Sequence, residues 1–206
     1  MSSTTEQMAC TPLPLSSNGF NSSAVLPYGL EVAHVQSAMQ DFIDFASFVN
    51  NQLYTKTIPR LESMLMSANF SSIVGEFMAS AIPKYCNTLT KNRHHNGHPD
   101  LVPVSFYKDN DVLHGPEGVE IKASRYTRGW QGHNPEDVWL MVFVFDSNRT
   151  KDTVPRQFKF ISVAGAKLDK SDWRFSGRSG ESRRTITASV MPSGFIKMST
   201  NWIYRD

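Results

Sequence analysis

The fold is constrained most by one continuous apolar run, VWLMVFVF, at residues 138–145. Six of its eight residues are β-branched or aromatic, which at this length favours a strand over a helix. A strand without a polar face needs cover on both sides, as the central strands of α/β sheets have. The sequence therefore predicts a central strand over 138–145, within a mixed β-sheet flanked by helices, which is an α/β (α+β) fold.

Helical patterns precede this strand. Apolar residues recur at three- and four-residue steps over 29–69, with a second helix expected over 59–66. Polar residues at 69–72 are suited to capping a further short helix over 73–82. Glu76 is expected on or near the core-facing side of that helix.

Two strands, at 101–107 and 119–124, are separated by a segment rich in turn-forming residues. A hairpin is the simplest connection, and a pivot near Val112 would place Asp100 beside 122–124, about 10 Å from Glu120. Beyond residue 146 the pattern becomes β-rich and basic. Further short strands are expected there, at 157–164, 185–191, 195–198 and 201–204.

Composition fits one domain. The chain has 206 residues, of which 40% are hydrophobic and 19% charged, enough to bury one good core. We expect a flexible N-terminal tail over 1–27 and a single domain over 28–206. The tail lacks the features of a secretory signal, and no run approaches the roughly 18 apolar residues that a membrane span needs. These features predict a soluble, cytoplasmic protein without membrane contact.

Charge is distributed unevenly along the chain. The net charge is +2, yet residues 151–206 carry eleven basic and five acidic side chains. A basic C-terminal third suits a polyanion-binding surface, although a solvated surface of mixed charge is an equal alternative.

Two carboxylates and one ammonium occur in a pattern that suits Mg²⁺-dependent phosphodiester cleavage. Asp100 opens one expected strand, and Glu120 and Lys122 lie on the next. Residues i and i+2 of a strand share a face, so Glu120 and Lys122 point together while Ile121 points into the core. Hard cations prefer carboxylate oxygens, and an ammonium can hold a water that attacks phosphorus.

A glutamate in a helix, the Pro99-Asp100 pair, the Glu120-Ile121-Lys122 triplet and the apolar strand together resemble the PD-(D/E)XK nuclease superfamily, especially type II restriction endonucleases. The resemblance covers about 70–146 and implies a restriction-endonuclease-like core. The helical region would then be 28–69, the catalytic core 70–146 and the basic DNA-contacting region 147–206. One departure is the segment 123–137, whose two glycines and proline leave little room for the family's core helix.

The resemblance implies a role for each residue. Asp100, Glu120 and the backbone carbonyl of Ile121 would bind Mg²⁺, for which Mn²⁺ can substitute. Lys122 would orient or activate the attacking water, and Glu76 would contact the metal through water. The products would carry 5′-phosphate and 3′-hydroxyl ends. A homodimer is expected, because two antiparallel strands must be cut and two-fold symmetry suits a palindromic site.

Candidate contacts with double-stranded DNA are basic and polar side chains in three loops. They are His98, Arg125, Arg128, Gln131, His133, Asn134, Arg174, Arg178, Ser179, Arg183 and Arg184.

Several alternatives stay open. Asp100 can be a simple turn residue, and Glu120 with Lys122 a solvent-facing pair. His94, His95 and His98 invite a histidine-based metal or base site, although a zinc frame is incomplete. The same catalytic core would serve a structure-selective or non-specific nuclease of repair, recombination or phage origin. A nucleic-acid-binding protein without catalysis is the remaining alternative.

Overall fold

The computed structural model describes residues 3–132, 137–176 and 187–206. These residues contain five α-helices: α1 (Ser3–Ala9), α2 (Val32–Thr55), α3 (Leu61–Met64), α4 (Ser67–Ala81) and α5 (Pro192–Thr200). They also contain nine strands: β1 (Leu89–Lys91), β2 (Leu101–Pro103), β3 (Val119–Ser124), β4 (Gln131–Gly132), β5 (Val138–Asp146), β6 (Lys159–Leu168), β7 (Trp173–Ser176), β8 (Thr187–Val190) and β9 (Trp202–Arg205).

Six strands form one sheet in the order β1-β2-β3-β5-β6-β9. Strands β3 and β5 run parallel, whereas the other neighbours run antiparallel. The mixed sheet with flanking helices confirms the predicted α/β (α+β) class. No helix in the described residues is long and apolar enough to cross a membrane.

Strand β5 is the buried central strand that the apolar run predicted. Residues 138–145 are all buried, and β5 pairs with β3 on one side and β6 on the other. The connection from β3 to β5 contains the short strand β4 and no helix in its described parts, 125–132 and 137. That finding agrees with the departure from the family pattern expected over 123–137.

The two faces of β5 pack against different layers. Met141, Phe143 and Phe145 lie in the larger core with residues of α2 and α4. Leu140 and Val142 face a smaller core that includes residues of α5, β7 and β8. Laterally paired residues share a face, so Glu120 and Lys122, opposite Leu140 and Val142, point to the side of the smaller core.

A second sheet of three short strands, in the order β4-β8-β7, covers this smaller core. Helix α5 packs beside it, where the sequence pattern had predicted a strand over 195–198. That prediction was wrong, because Pro192 opens a helical turn and the spacing of Phe195 and Met198 places both against the smaller core.

The helical predictions were right in type but not in extent. Within the helical region predicted over 29–69, helix α2 ends at Thr55, and the second helix expected over 59–66 is the short α3, Leu61–Met64. Helix α4 begins at Ser67, so the presumed capping residues at 69–72 lie inside the helix and Phe70 is buried. The predicted hairpin strand over 101–107 is reduced to the three residues of β2.

The N-terminal segment differs from the expected flexible tail. Helix α1 is held by Glu6, which forms a salt bridge of 2.8 Å with the buried Arg60. Farther along, the N–H groups of Leu13 and Asn21 donate to carbonyl oxygens of Phe158 and Ile203. Because its backbone pairs with β9 and the segment before β6, this part of the chain covers one side of the larger core.

Candidate active site

The candidate site lies where β2 diverges from β3. The two strands pair only at Leu101 and Val119, which leaves the edge of β3 open beyond that point. Oδ2 of Asp100 accepts a hydrogen bond of 2.7 Å from the N–H of Ile121 on this edge. Asp100 therefore lies beside 120–121, closer to Glu120 than the predicted hairpin register would have placed it.

Glu120 is held at both carboxylate oxygens. Its Oε2 lies 2.8 Å from Nδ1 of His98, and its Oε1 contacts the ammonium of Lys122. Only 5% of Glu120 is exposed, so it is not one half of a solvent-facing pair. The contacts with His98 and Lys122 compensate the burial of the negative charge.

The two carboxyl groups have pKa values shifted in opposite directions. Burial, followed by the charge of Glu120, raises the pKa of Asp100 to about 7. Burial would also raise the pKa of Glu120, but hydrogen bonds and charges from His98 and Lys122 outweigh it and lower that pKa well below its usual range. Paired acids with divergent pKa values are typical of functional sites.

Asp100 and Lys122 face a cleft of about 290 Å³ between α4 and β3. It is lined by Ser71, Ser72, Gly75, Glu76, Asp100, Ile121, Lys122 and Ala123. We call this the catalytic cleft. Its walls combine small residues of α4 with the charged side chains of Glu76, Asp100 and Lys122, which leaves room for a polymer backbone beside Asp100.

Glu76 reaches this cleft from the solvent side. The prediction that it faces the core was wrong, because Phe70, Val74 and Met78 form the buried stripe of α4 and Glu76 lies on another side. Its side chain is 67% exposed and forms a salt bridge of 2.8 Å with Lys91.

Three candidate oxygen ligands for a cation lie at the open edge of β3. The N–H and C=O of one strand residue face the same neighbour, so the Ile121 carbonyl faces the open edge with Asp100. Among the residues that the structure describes, no group of three or more His, Cys, Asp or Glu side chains is placed to hold a metal ion. The candidate ligand set is therefore the two carboxylates of Asp100 and Glu120 with this carbonyl.

No family model, curated protein or solved structure matches the chain. The resemblance to the PD-(D/E)XK superfamily therefore stays a prediction, and the arguments for function rest on the geometry of the site.

The three clustered histidines do not converge on one point. His98 contacts Glu120, whereas Nδ1 of His94 lies 2.6 Å from Asp111. His95 is exposed. The three histidines therefore do not form the single metal or base site that was considered as an alternative.

Arg125 belongs to the packing rather than to an exposed DNA surface. Its guanidinium donates to the carbonyl oxygens of Ser147 and Asn148 at 2.6 and 2.9 Å. It also stacks over the rings of Phe70 and Phe145. These contacts occupy Nη1, Nη2 and the faces of the guanidinium and hold it against the fold.

Three other predicted DNA contacts lie on the second sheet or in the segment just before β4. Gln131, Ser189 and Arg174 form one cross-strand row, with Gln131 and Arg174 exposed. Arg128 is exposed beside them and stacks on Phe195 at 5.1 Å. The remaining candidates lie outside the described residues: His133, Asn134, Arg178, Ser179, Arg183 and Arg184.

Sequence reasoning missed several residues of the site. His98 was predicted to contact DNA, but the structure places its imidazole on Glu120. Its position two residues before Asp100 was the available signal. Ser71 and Gly75 line the catalytic cleft, and a glycine within an apolar helical pattern often has a packing or functional reason.

Proposed function

We propose that the protein is a Mg²⁺-dependent endonuclease that cleaves double-stranded DNA at a specific short sequence, as type II restriction enzymes do. The observation that carries the proposal is the placement of Asp100, Glu120 and Lys122 at one open strand edge beside a cleft. We propose further that it acts as a homodimer on DNA in a prokaryotic cytoplasm.

The residues present fit a divalent cation. Asp100 and Glu120 lie side by side in a buried setting, and the raised pKa of Asp100 reflects the cost of a second negative charge there. A divalent cation would remove that cost. Mg²⁺ sites commonly use one or two carboxylates and take the remaining ligands from water and substrate phosphates, so the absence of a third acidic ligand among the described residues is compatible with Mg²⁺ or Mn²⁺.

When bound, Mg²⁺ supplies stabilisation of negative charge on the phosphate and a water of lowered pKa. The chain's own groups position the reactants. Lys122 lines the cleft beside Glu120, where its ammonium can hold the attacking water and stabilise charge that develops on the phosphate. His98 fixes the other oxygen of Glu120 and so its orientation. His98 is therefore a positioning residue.

The second sheet offers a surface for reading DNA. The amide of Gln131 can pair with adenine, and the guanidinium of Arg174 can pair with guanine or contact phosphate. Both lie on its exposed row with Ser189. This sheet covers the side of β5 toward which Glu120 and Lys122 point, whereas the α4 wall of the catalytic cleft lies on the other side of the main sheet.

The deciding experiment incubates the purified full chain with long duplex DNA and Mg²⁺, Mn²⁺ or a chelator. We expect discrete, reproducible fragments that a ligase rejoins without prior phosphorylation, because hydrolysis would leave 5′-phosphate ends. A smear would favour the structure-selective or non-specific nuclease. Uncut DNA under every divalent-metal condition would overturn the catalytic proposal in favour of a binding protein.

Lys122→Ala tests the site within that experiment. Cleavage should fall by about 10²-fold or more, while DNA binding with Ca²⁺ in place of Mg²⁺ is largely kept. Lys84→Ala is the matched control, because Lys84 is an exposed lysine paired with Asp41 outside the catalytic cleft. Equal cleavage by Lys122→Ala and Lys84→Ala would refute the role of Lys122.

A further inference from the structure

A second cavity, of about 410 Å³, begins at the same carboxylates as the catalytic cleft. Glu76 and Asp100 line both spaces. The opposite wall of the second cavity is residues 91–97, which we call the basic loop. A polymer that crosses the carboxylates in the catalytic cleft would therefore continue along the basic loop.

The basic loop is held in a defined shape by Asn92. Nδ2 of this buried side chain donates to the carbonyls of Pro99 and Val112 at 3.0 and 2.8 Å, and Oδ1 accepts from the N–H of His94. At Gly97 a Cβ atom would lie 2.5 Å from Asn92 Nδ2 and from the Val112 carbonyl, so a side chain there would require a shift. The loop thus presents its side chains from a fixed frame.

Two side chains of the basic loop already have acidic partners. Lys91 forms a salt bridge of 2.8 Å with Glu76, and His94 lies 2.6 Å from Asp111. Arg93 and His95 are exposed, and neither side chain has a hydrogen-bond or ion-pair partner within the described part of the chain. Both line the second cavity. Their donors are available to an anion in that space.

Arg93 is also close to the carboxylates along the backbone. The N–H of Asn92 donates to the carbonyl of Asp100 at 2.8 Å, so these two residues are paired. Arg93 follows Asn92 by one residue, about 3.3 Å along an extended chain. Because Arg93 and Asp100 also line the same cavity, a group bound by Arg93 would lie near one bound at Asp100.

We propose that Arg93 and His95 form a subsite for the phosphate next to the cleaved phosphate on the same DNA strand. The inference rests on the proposed function and adds the path of the strand. The guanidinium of arginine matches phosphate geometry and binds it bidentately. Contacts of this kind set the register of a protein on DNA, so the subsite positions the cleaved bond at Asp100 and Glu120.

The first test compares DNA binding by Arg93→Ala, His95→Ala and the unaltered chain with Ca²⁺ present. Arg93→Ala should weaken binding about tenfold and reduce the slope of log affinity against log salt by about one. Lys159→Ala is the control: it also removes one positive charge, from a lysine paired with Asp206 beside the opposite edge of the main sheet. Equal effects of Arg93→Ala and Lys159→Ala would overturn the subsite.

The second test locates the phosphate. At a mapped cleavage position, each phosphate that flanks the cleaved bond is replaced in turn by an uncharged methylphosphonate. Replacement of one flanking phosphate should weaken DNA binding by the unaltered chain about tenfold. The same replacement should leave DNA binding by Arg93→Ala unchanged, because this variant has already lost its contact with that phosphate. Parallel losses for both proteins at every position would refute the subsite.

The outcomes separate this inference from the function on which it rests. Cleavage by the unaltered chain with no selective effect at Arg93 would remove the subsite and leave the nuclease proposal intact. Failure of the unaltered chain to bind or cut duplex DNA would overturn both.

Discussion

The carboxylate of Asp100 occupies a position on the edge of β3 that a neighbouring strand would otherwise fill, because its Oδ2 accepts the Ile121 N–H at 2.7 Å. This contact fixes Asp100 beside Glu120 through the backbone rather than through another charged side chain. It also directs Asp100 into a buried region, and burial is the largest cause of its raised pKa. The hydrogen bond from Ile121 itself lowers the pKa of Asp100, but burial and the charge of Glu120 outweigh it.

Asp100 should make the free protein less stable as pH rises from about 4 to about 7. Its pKa is 3.8 as an ordinary value and about 7 in the fold, so the folded state binds more protons in that interval. The contribution of Asp100 to the free energy of unfolding is fully present below pH 4 and is lost as the pH rises through 7. In urea unfolding of the metal-free protein, the free energy of unfolding should decrease by roughly 1–3 kcal/mol between pH 4 and pH 7. Asp100→Asn should not show this decrease.

Asp41 provides a control of opposite sign. Burial would raise its pKa, but hydrogen bonds from Lys84 and Tyr85 lower it overall. Its contribution is present above the unfolded pKa and is lost on acidification, so Asp41→Asn should lose stability at neutral pH. An Asp100→Asn protein that keeps the pH dependence of the unaltered chain would contradict the assignment.

Local patterns predicted the elements that carry the site. The apolar run predicted β5, and the residues around Glu120 and Lys122 predicted β3, because both segments carry local strand patterns. The register between Asp100 and β3 was not predictable in this way. It depends on the long connection from β2 to β3, part of which is anchored by the side chain of Asn92.

Tertiary contacts also determine which charged side chains are free to bind DNA or a metal ion. Arg125 was expected to be an exposed cation, but its Nη1 and Nη2 donate to carbonyls more than twenty residues away. Glu76 was expected to face the core, but Phe70, Val74 and Met78 form the buried stripe of α4. Neither the partners of a side chain nor the face of a marginal helix is contained in local spacing.

Metal binding in the absence of DNA should strengthen with pH. A cation at Asp100 must displace the proton that the raised pKa retains, so affinity should rise up to about tenfold per pH unit below 7 and then level. The measurement is the increase in thermal midpoint caused by Mg²⁺ or Mn²⁺ at pH 6, 7 and 8. Asp100→Asn should show little increase at any pH; an increase equal to that of the unaltered chain would place the metal elsewhere.

Gly75 should set the space available to the DNA backbone. A Cβ atom at this position would have its nearest neighbour, the Ala123 N atom, at 3.9 Å, so alanine fits without movement. Gly75→Ala should raise the free energy of unfolding by about 0.5–1 kcal/mol, as expected within a helix, and preserve cleavage.

A larger side chain at the same position gives the informative contrast. Gly75→Phe would extend into the catalytic cleft of about 290 Å³ and should reduce cleavage at least tenfold while circular dichroism still shows a folded protein. Gly75→Ala is its matched control. Full cleavage by a folded Gly75→Phe protein would show that DNA does not pass along α4.

Arg60 should contribute more to stability than any exposed ion pair. It is buried and lies 2.5 Å from Glu62, which is also buried, and 2.8 Å from Glu6 of α1. Arg60→Met would leave the Glu62 carboxylate buried without its partner, at a cost of about 3–5 kcal/mol in chemical unfolding. The exposed pair of Lys84 with Asp41 is the control, and Lys84→Ala should change stability little.

The pairing of Arg60 and Glu62 can be separated from simple loss of packing. Arg60→Met combined with Glu62→Leu removes both charges, so the double variant should recover much of the lost stability because no unpaired carboxylate remains. Limited proteolysis gives an independent readout, since Arg60→Met also frees Glu6 and should expose α1 to cleavage. If the double variant were less stable than Arg60→Met, the loss would arise from packing and the buried ion pair would not be its cause.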